Sequence, residues 1–294
     1  MIEEITAKTI LNHVKQPDPW FGLKYNMNLY RGCQHQCIYC DSRSDCYRIE
    51  DFAKIQVKIN ALDLLEGVLP RKRVRGTIGF GSMNDPYMPV EREYRLTRKS
   101  LEIISANEFP VHILTKSDLV LRDIDLLVEI SNVYAAVSFT ITTADDELAQ
   151  KLEPGAPLPS QRFQAMGKLA KAGVLTGVTM MPILPFLEDS EENLLKIISF
   201  SKENGATYII PSFGVSLRPG SREYYYQKLD RHFSGIKEKY IKQYGNQYQC
   251  NIPNWQKMNI LFQEEINRIN ISARIPVHEP KNIIGLSKQM RLFD

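Results

Sequence analysis

Eleven consecutive segments of this 294-residue chain alternate between two periodicities, and that alternation limits the fold more than any other feature. Short apolar runs stand at residues 24–32 (KYNMNLYRG), 76–82 (GTIGFGS), 110–116 (PVHILTK), 133–141 (VYAAVSFTI), 175–184 (LTGVTMMPIL) and 207–213 (TYIIPSF). Between them, residues 52–69, 93–107, 119–131, 160–173 and 190–205 carry apolar residues at helical spacing. Near-continuous apolar strands, each followed by an amphipathic helix, imply a buried parallel sheet. Six such units in a row predict an α/β fold, a partial (β/α)6 barrel of TIM-like type, with a doubly wound open sheet as the competing architecture. Helix punctuation agrees. Ser160 and Ser190 stand where N-caps belong, and Gly173 and Gly205 stand where helices end. The pattern stops near Gly214, which divides the chain into an N-terminal segment 1–24, a barrel 25–213 and a mainly helical C-terminal extension 214–294 packed on the barrel.

Against that frame the cysteines are unevenly placed. Of five in the chain, Cys33, Cys37 and Cys40 follow the first strand with the spacing C-x3-C-x2-C, and Cys46 comes soon after. The N-terminus lacks an apolar run of signal-peptide length, and no stretch reaches the roughly 18 apolar residues of a membrane span. The expected location is therefore the cytoplasm with no membrane contact, where thiols stay reduced and clustered cysteines serve metal or redox chemistry. Three thiolates suit an iron–sulfur cluster with one iron left for a small molecule; zinc would need a fourth ligand, such as Cys46 or His35. Chemistry in barrels gathers at the C-terminal ends of strands, which is where this loop lies.

The run Cys37-Ile38-Tyr39-Cys40, with an aromatic residue before the third cysteine, resembles the signature of the radical S-adenosylmethionine (SAM) superfamily. Residues 31–47, 81–103, 113–127, 137–143 and 151–162 together resemble its spore-photoproduct-lyase-like branch. The resemblance implies a [4Fe–4S] cluster on Cys33, Cys37 and Cys40 that binds and reductively cleaves S-adenosyl-L-methionine. The resulting 5′-deoxyadenosyl radical would then take hydrogen from a substrate. It also implies a reducing electron donor of flavodoxin or ferredoxin type.

The same resemblance places Tyr39 beside the adenine and gives cofactor contacts to Gly81, Ser82 and Asn84 after the second strand. Lys116, at the end of the third, would meet the methionyl carboxylate, and Ser138 and Thr140 would contribute from the fourth. Glu153, Met180, Met181 and His35 are weaker candidates. Aligned through Asp85, Ser82 occupies the position of the lyases' hydrogen-donating cysteine, so thymine-dimer repair does not carry over. Cys46 becomes the candidate hydrogen donor, with Cys250 a more distant one.

The substrate is open at this level. Damaged DNA or another nucleic acid, a peptide and a small metabolite all fit radical chemistry. A zinc-stabilised nucleic-acid-binding protein without catalysis is the reading from another class. A net charge of +3 decides nothing. Residues 71–75 hold Arg71, Lys72, Arg73 and Arg75, but at the wrong end of the second strand for the active face. Residues 216–244 interleave Tyr224, Tyr225, Tyr226, Tyr240 and Tyr244 with cations, which suits either base stacking or a tyrosine-packed interface. At the C-terminus, Gln289, Leu292 and Phe293 fit the Q-x-x-L-F pattern of peptides that dock on the bacterial sliding clamp.

Overall fold

The computed structural model describes residues 1–16 and 18–279. Gln289, Leu292 and Phe293 lie outside the described residues.

Six parallel strands form the frame: β1 (Tyr25–Met27), β2 (Ile78–Phe80), β3 (Val111–Thr115), β4 (Ala135–Thr140), β5 (Leu175–Met180) and β6 (Tyr208–Pro211). They pair in chain order, and Leu11–His13 adds an antiparallel edge beside β1. Among the described residues β1 and β6 do not pair, so the sheet curves as a partial barrel without closing. β4 is buried along its whole length, as a strand covered on both faces must be.

A principal helix follows each of the first five strands: α1 (Ala61–Val68), α2 (Leu96–Ala106), α3 (Ile124–Ile130), α4 (Pro159–Lys171) and α5 (Glu191–Glu203). After β6 the chain makes an excursion. Gly214–Ser216 pairs antiparallel with Gln249–Asn251, and helices Ser221–His232 and Ile236–Tyr244 lie between. The chain then returns as α6 (Trp255–Arg268), which packs against α5. Ser272 bridges in parallel to Tyr208 of β6. Residues 214–279 thus comprise an excursion followed by a sixth helix on the barrel wall.

Two local expectations change. The helix expected over 52–69 begins only at Ala61; Ile55–Lys58 is instead a strand, parallel to Ile2–Ile5 and antiparallel to Tyr30–Arg31. Its burial alternates, Ile55 and Val57 in and Gln56 and Lys58 out, which is strand period. Ser160 does not cap α4. The helix starts at Pro159 after Leu158, whose N–H donates to Gln161 Oε1 at 2.8 Å, while Ser160 Oγ donates to Asp146 at 2.6 Å. Proline at the first helical position needs no N–H partner, so it displaces serine as the start signal. Ser190 does cap α5, accepting from Asn193 N at 3.1 Å.

Candidate active site

The cysteine loop leaves β1 at the C-terminal edge of the sheet and is clamped from two sides. On one, Ile38 N donates to Leu152 O at 2.8 Å and Gly155 N donates to His35 O at 2.9 Å. A Cβ on Gly155 would lie 2.1 Å from Gln34 O, so the turn at 153–157 needs glycine to lie this close to the loop. On the other, Arg43 is sandwiched between the rings of Phe52 and Tyr224, at 4.3 and 3.8 Å, and donates to Gln36 Oε1 at 2.5 Å.

This clamping directs Cys33, Cys37 and Cys40 onto the wall of one cavity of about 320 Å³, in the size range of small-ligand sites. The first two thiols are buried and the third is half-buried. Burial, aided by Asp85, pushes the free Cys33 thiol up to about 12, and burial likewise raises Cys37. Such thiols lose their protons when a metal takes the sulfur, and soft sulfur donors suit iron. Of the two residues offered as a fourth zinc ligand, Cys46 is exposed outside this cavity, whereas His35 lines it.

The rest of the wall comes from the strand ends. Gly81, Ser82 and Asn84 follow β2, Lys116 follows β3, Thr140 ends β4 and Met181 follows β5. Gly81 has φ +94°, and a Cβ there would meet Leu114 O at 2.1 Å; the close approach is to the neighbouring strand. Ser82 Oγ accepts from Asn26 Nδ2 at 2.7 Å. Asn84 Nδ2 donates to Tyr30 O at 2.6 Å, and Thr140 Oγ1 meets Thr179 Oγ1 at 3.2 Å.

Behind this wall lies a buried charge network. Tyr39 donates its hydroxyl to Glu153 Oε1. Arg162 Nη2 lies 2.5 Å from Glu153 Oε2, and Lys116 Nζ lies 3.8 Å from Oε1. Burial works against the Glu153 carboxylate, but Arg162 and Lys116 outweigh it and hold the group below its usual range. Two cations thus share one carboxylate, and Lys116 faces the cavity with charge to offer an anion.

Asp85 accepts from Thr115 Oγ1 and Lys116 N, both at 2.7 Å, and lies 3.3 Å from His35 Nδ1. Burial opposes its ionisation, yet His35 and these donors hold it at about 2. His35 lines the cavity, and its buried Nε2 has no protein partner, which leaves that atom for a bound group. Glu188 differs. Burial dominates there, and despite donors from Thr142 Oγ1 at 2.6 Å and Leu184 N at 2.9 Å its pKa rises to about 8.

Several expected residues lie elsewhere. Ser138 is fully buried below the cavity, its Oγ 2.8 Å from His112 Nε2 and 2.6 Å from Tyr208 OH, and is not on the wall. It faces the barrel interior on the same side of β4 as Thr140, one pleat repeat deeper. Met180 belongs to the apolar core. Cys46 is exposed outside the cavity, 3.5 Å from Arg218 Nη1. Cys250 is buried in the tyrosine cluster of the excursion. There Tyr225 donates to Tyr240 OH at 3.0 Å, and Tyr240 packs on Tyr244 with ring centroids 5.5 Å apart. Those three rings are core, so the tyrosine-packed interface accounts for them.

Sequence reasoning used Asp85 only as an alignment point and passed over Arg162, Glu188 and the cavity rim of Gly214, Ser216 and Gln249. Arg162 had a signal: it falls on the stripe of Pro159, Phe163, Met166 and Leu169, the buried face of α4. The rim had none, because it is built by a strand pairing across more than thirty residues.

The sequence profile of the radical SAM superfamily matches residues 27–198. An uncharacterised protein of Methanocaldococcus jannaschii is 36% identical over 193 residues, covering 65% of this chain and 70% of the relative. One from Mycobacterium tuberculosis is 31% identical over 249 residues, covering 82% and 73%. A solved spore photoproduct lyase, in complex with a dinucleoside spore photoproduct, shares the fold with a TM-score of 0.68 at 16% identity, covering 91% of this chain and 79% of that one. The profile spans more than half of the chain, including the three-cysteine loop that lines the cavity: the chain belongs to the radical SAM superfamily.

Proposed function

We propose that Cys33, Cys37 and Cys40 hold a [4Fe–4S] cluster in this cavity, that S-adenosylmethionine binds beside it, and that the enzyme takes hydrogen from an organic substrate admitted past the rim at 214–216 and 249. The observation that carries this reading is the convergence of three thiols and the Lys116 ammonium on one wall at the C-terminal ends of parallel strands. The residues fit the group in donor chemistry, in the unpartnered His35 Nε2 and in the cation that Glu153 shares with Arg162.

When bound, the cluster and cofactor supply a 5′-deoxyadenosyl radical; the chain does the rest. Lys116 offers a charge-assisted contact to the cofactor carboxylate, and Glu153 sets where that ammonium stands. Tyr39, which stands between the second and third cysteines in sequence, is fixed through its hydroxyl by Glu153 and lines the cavity. Asp85, held ionised, orients His35 and the backbone N–H of Lys116. Ser82 and Asn84 offer polar atoms at the second strand. Cys33, Cys37 and Tyr39 are buried, which limits water on their side of the reacting centre.

Among the described residues the wall carries no thiol besides the three ligands, and Cys46 faces Arg218 outside it. The proposed reaction therefore uses no protein cysteine as hydrogen donor. Nucleic acid is the substrate class to test first, since the lyase of like fold was solved with a dinucleoside. The test is mass spectrometry of 5′-deoxyadenosine after anaerobic reduction, with deuterated DNA, nucleotide, peptide and metabolite candidates. Deuterium in that product identifies the substrate. No 5′-deoxyadenosine from reconstituted protein overturns the reading.

A further inference from the structure

The cysteine loop has two faces. Cys33, Cys37, Tyr39 and Cys40 line the cavity, whereas Ile38, between Cys37 and Tyr39, forms the floor of a separate surface cleft. Ile38 is 1% exposed and its N–H is tied to the carbonyl of the fully buried Leu152, so the floor is fixed. The cleft walls are the helix Asp146–Leu152 and the end of the helix Ser221–His232, which contribute Lys151, Lys228 and His232. Arg231 flanks them on the last turn of the second helix. The lining acid is Glu147; Asp230 nearby is already paired with Lys237 at 2.6 Å.

We infer that this cleft is the docking face for an acidic one-electron carrier protein. The inference rests on the proposed function, which requires an electron to reach the cysteine loop. Electron transfer slows exponentially with distance, so a carrier must reach the loop where little protein intervenes. The cavity mouth is committed to cofactor and substrate, whereas the cleft floor is the residue bonded to Cys37. Cations there complement an acidic carrier, and charges at an interface rim mainly set association rate and salt dependence. Small, transient interfaces of this kind are usual between redox partners.

The test uses the full-length chain without cluster, so that binding is read apart from turnover. A flavodoxin with an acidic cofactor rim is titrated calorimetrically at low and high salt. The expected result is binding at low salt that weakens with salt, and an affinity loss of about tenfold or more in the Lys151→Glu, Lys228→Glu double variant. Lys168→Glu, Lys171→Glu on α4 serves as the control and should bind as wild type does. In reconstituted protein, dithionite should reduce wild type and both variants at the same rate, because it needs no docking. Equal flavodoxin affinity in wild type and cleft variant, or equal loss in the control, would overturn the assignment. So would a cleft that binds a DNA duplex and no flavodoxin. If dithionite yields no reduced cluster, the proposed function has failed, and the binding comparison still decides the docking face on its own.

Discussion

Two polar layers lie inside the same barrel, and they differ in whether their hydrogen-bonding and charge needs are met internally. In the lower one, Ser138, His112 and Tyr208 satisfy one another, Phe21 stacks on His112 at 4.5 Å, and a Cβ on Gly177 would lie 2.3 Å from the Tyr208 ring. Burial depresses His112 to about 3, so the layer is neutral. In the upper one, Lys116 and Arg162 share Glu153, and His35 Nε2 has no partner. Residue chemistry alone does not separate the layers, since serine, histidine and tyrosine occur in both. The upper layer faces a cavity and has capacity left over; the lower one is closed. Polar groups buried with all partners present stabilise a fold, while those left short of a partner at a cavity are placed for a ligand.

The comparison is sharpest in two substitutions with opposite consequences. Lys116→Met should weaken S-adenosylmethionine binding by roughly tenfold to a hundredfold, as losing one charge-assisted contact implies. Its denaturant midpoint should stay close to wild type, because Glu153 keeps Arg162 and Tyr39. Equilibrium binding and urea unfolding read the two effects. Ser138→Ala should do the reverse. It strands His112 and Tyr208 and should cost roughly 1–3 kcal/mol in urea unfolding, with cofactor affinity unchanged. A cofactor defect in Ser138→Ala would break the distinction between the layers.

Much of this was legible in the sequence. The βα alternation gives six strands and the side of the sheet that carries chemistry, and the cysteine spacing places the loop. That Ser138 lies below the wall was not legible, because strand period shows which residues share a face but not how deep the cavity reaches, and Thr140 lies one repeat higher. Tyr225, Tyr240 and Tyr244 read equally as a stacking surface or a core until the excursion is seen folding them inward. Gln249 joins the rim only through pairing with Ser216, a contact that no local pattern announces.

Glu188 gives a smaller effect with a definite sign. Burial raises its folded pKa from 4.5 to about 8. Through that window the unfolded chain has released a proton that the folded chain retains, so this group makes stability fall as pH rises; below it both states are protonated and the contribution vanishes. Glu188→Gln should remove the slope. The variant's thermal midpoint should match wild type near pH 4.5 and exceed it increasingly toward pH 8. A constant offset across that range would show that the carboxyl titrates normally. The smallest effect belongs to Cys46→Ala, which should leave both cofactor cleavage and product formation unchanged, since its sulfur faces Arg218 outside the cavity. Lost product with cofactor cleavage intact would restore Cys46 as hydrogen donor.

The central claim is that the upper layer is built around a cluster on three thiols, and iron and sulfide stoichiometry after anaerobic reconstitution tests it most directly. Wild type is predicted to bind about four irons and four sulfides per chain, with an absorption and spin-resonance signature that changes when S-adenosylmethionine is added. Cys33→Ala, Cys37→Ala and Cys40→Ala should each lose the intact cluster. Full iron and sulfide in any one of these variants, or a wild-type protein that binds zinc and no sulfide, would contradict the account.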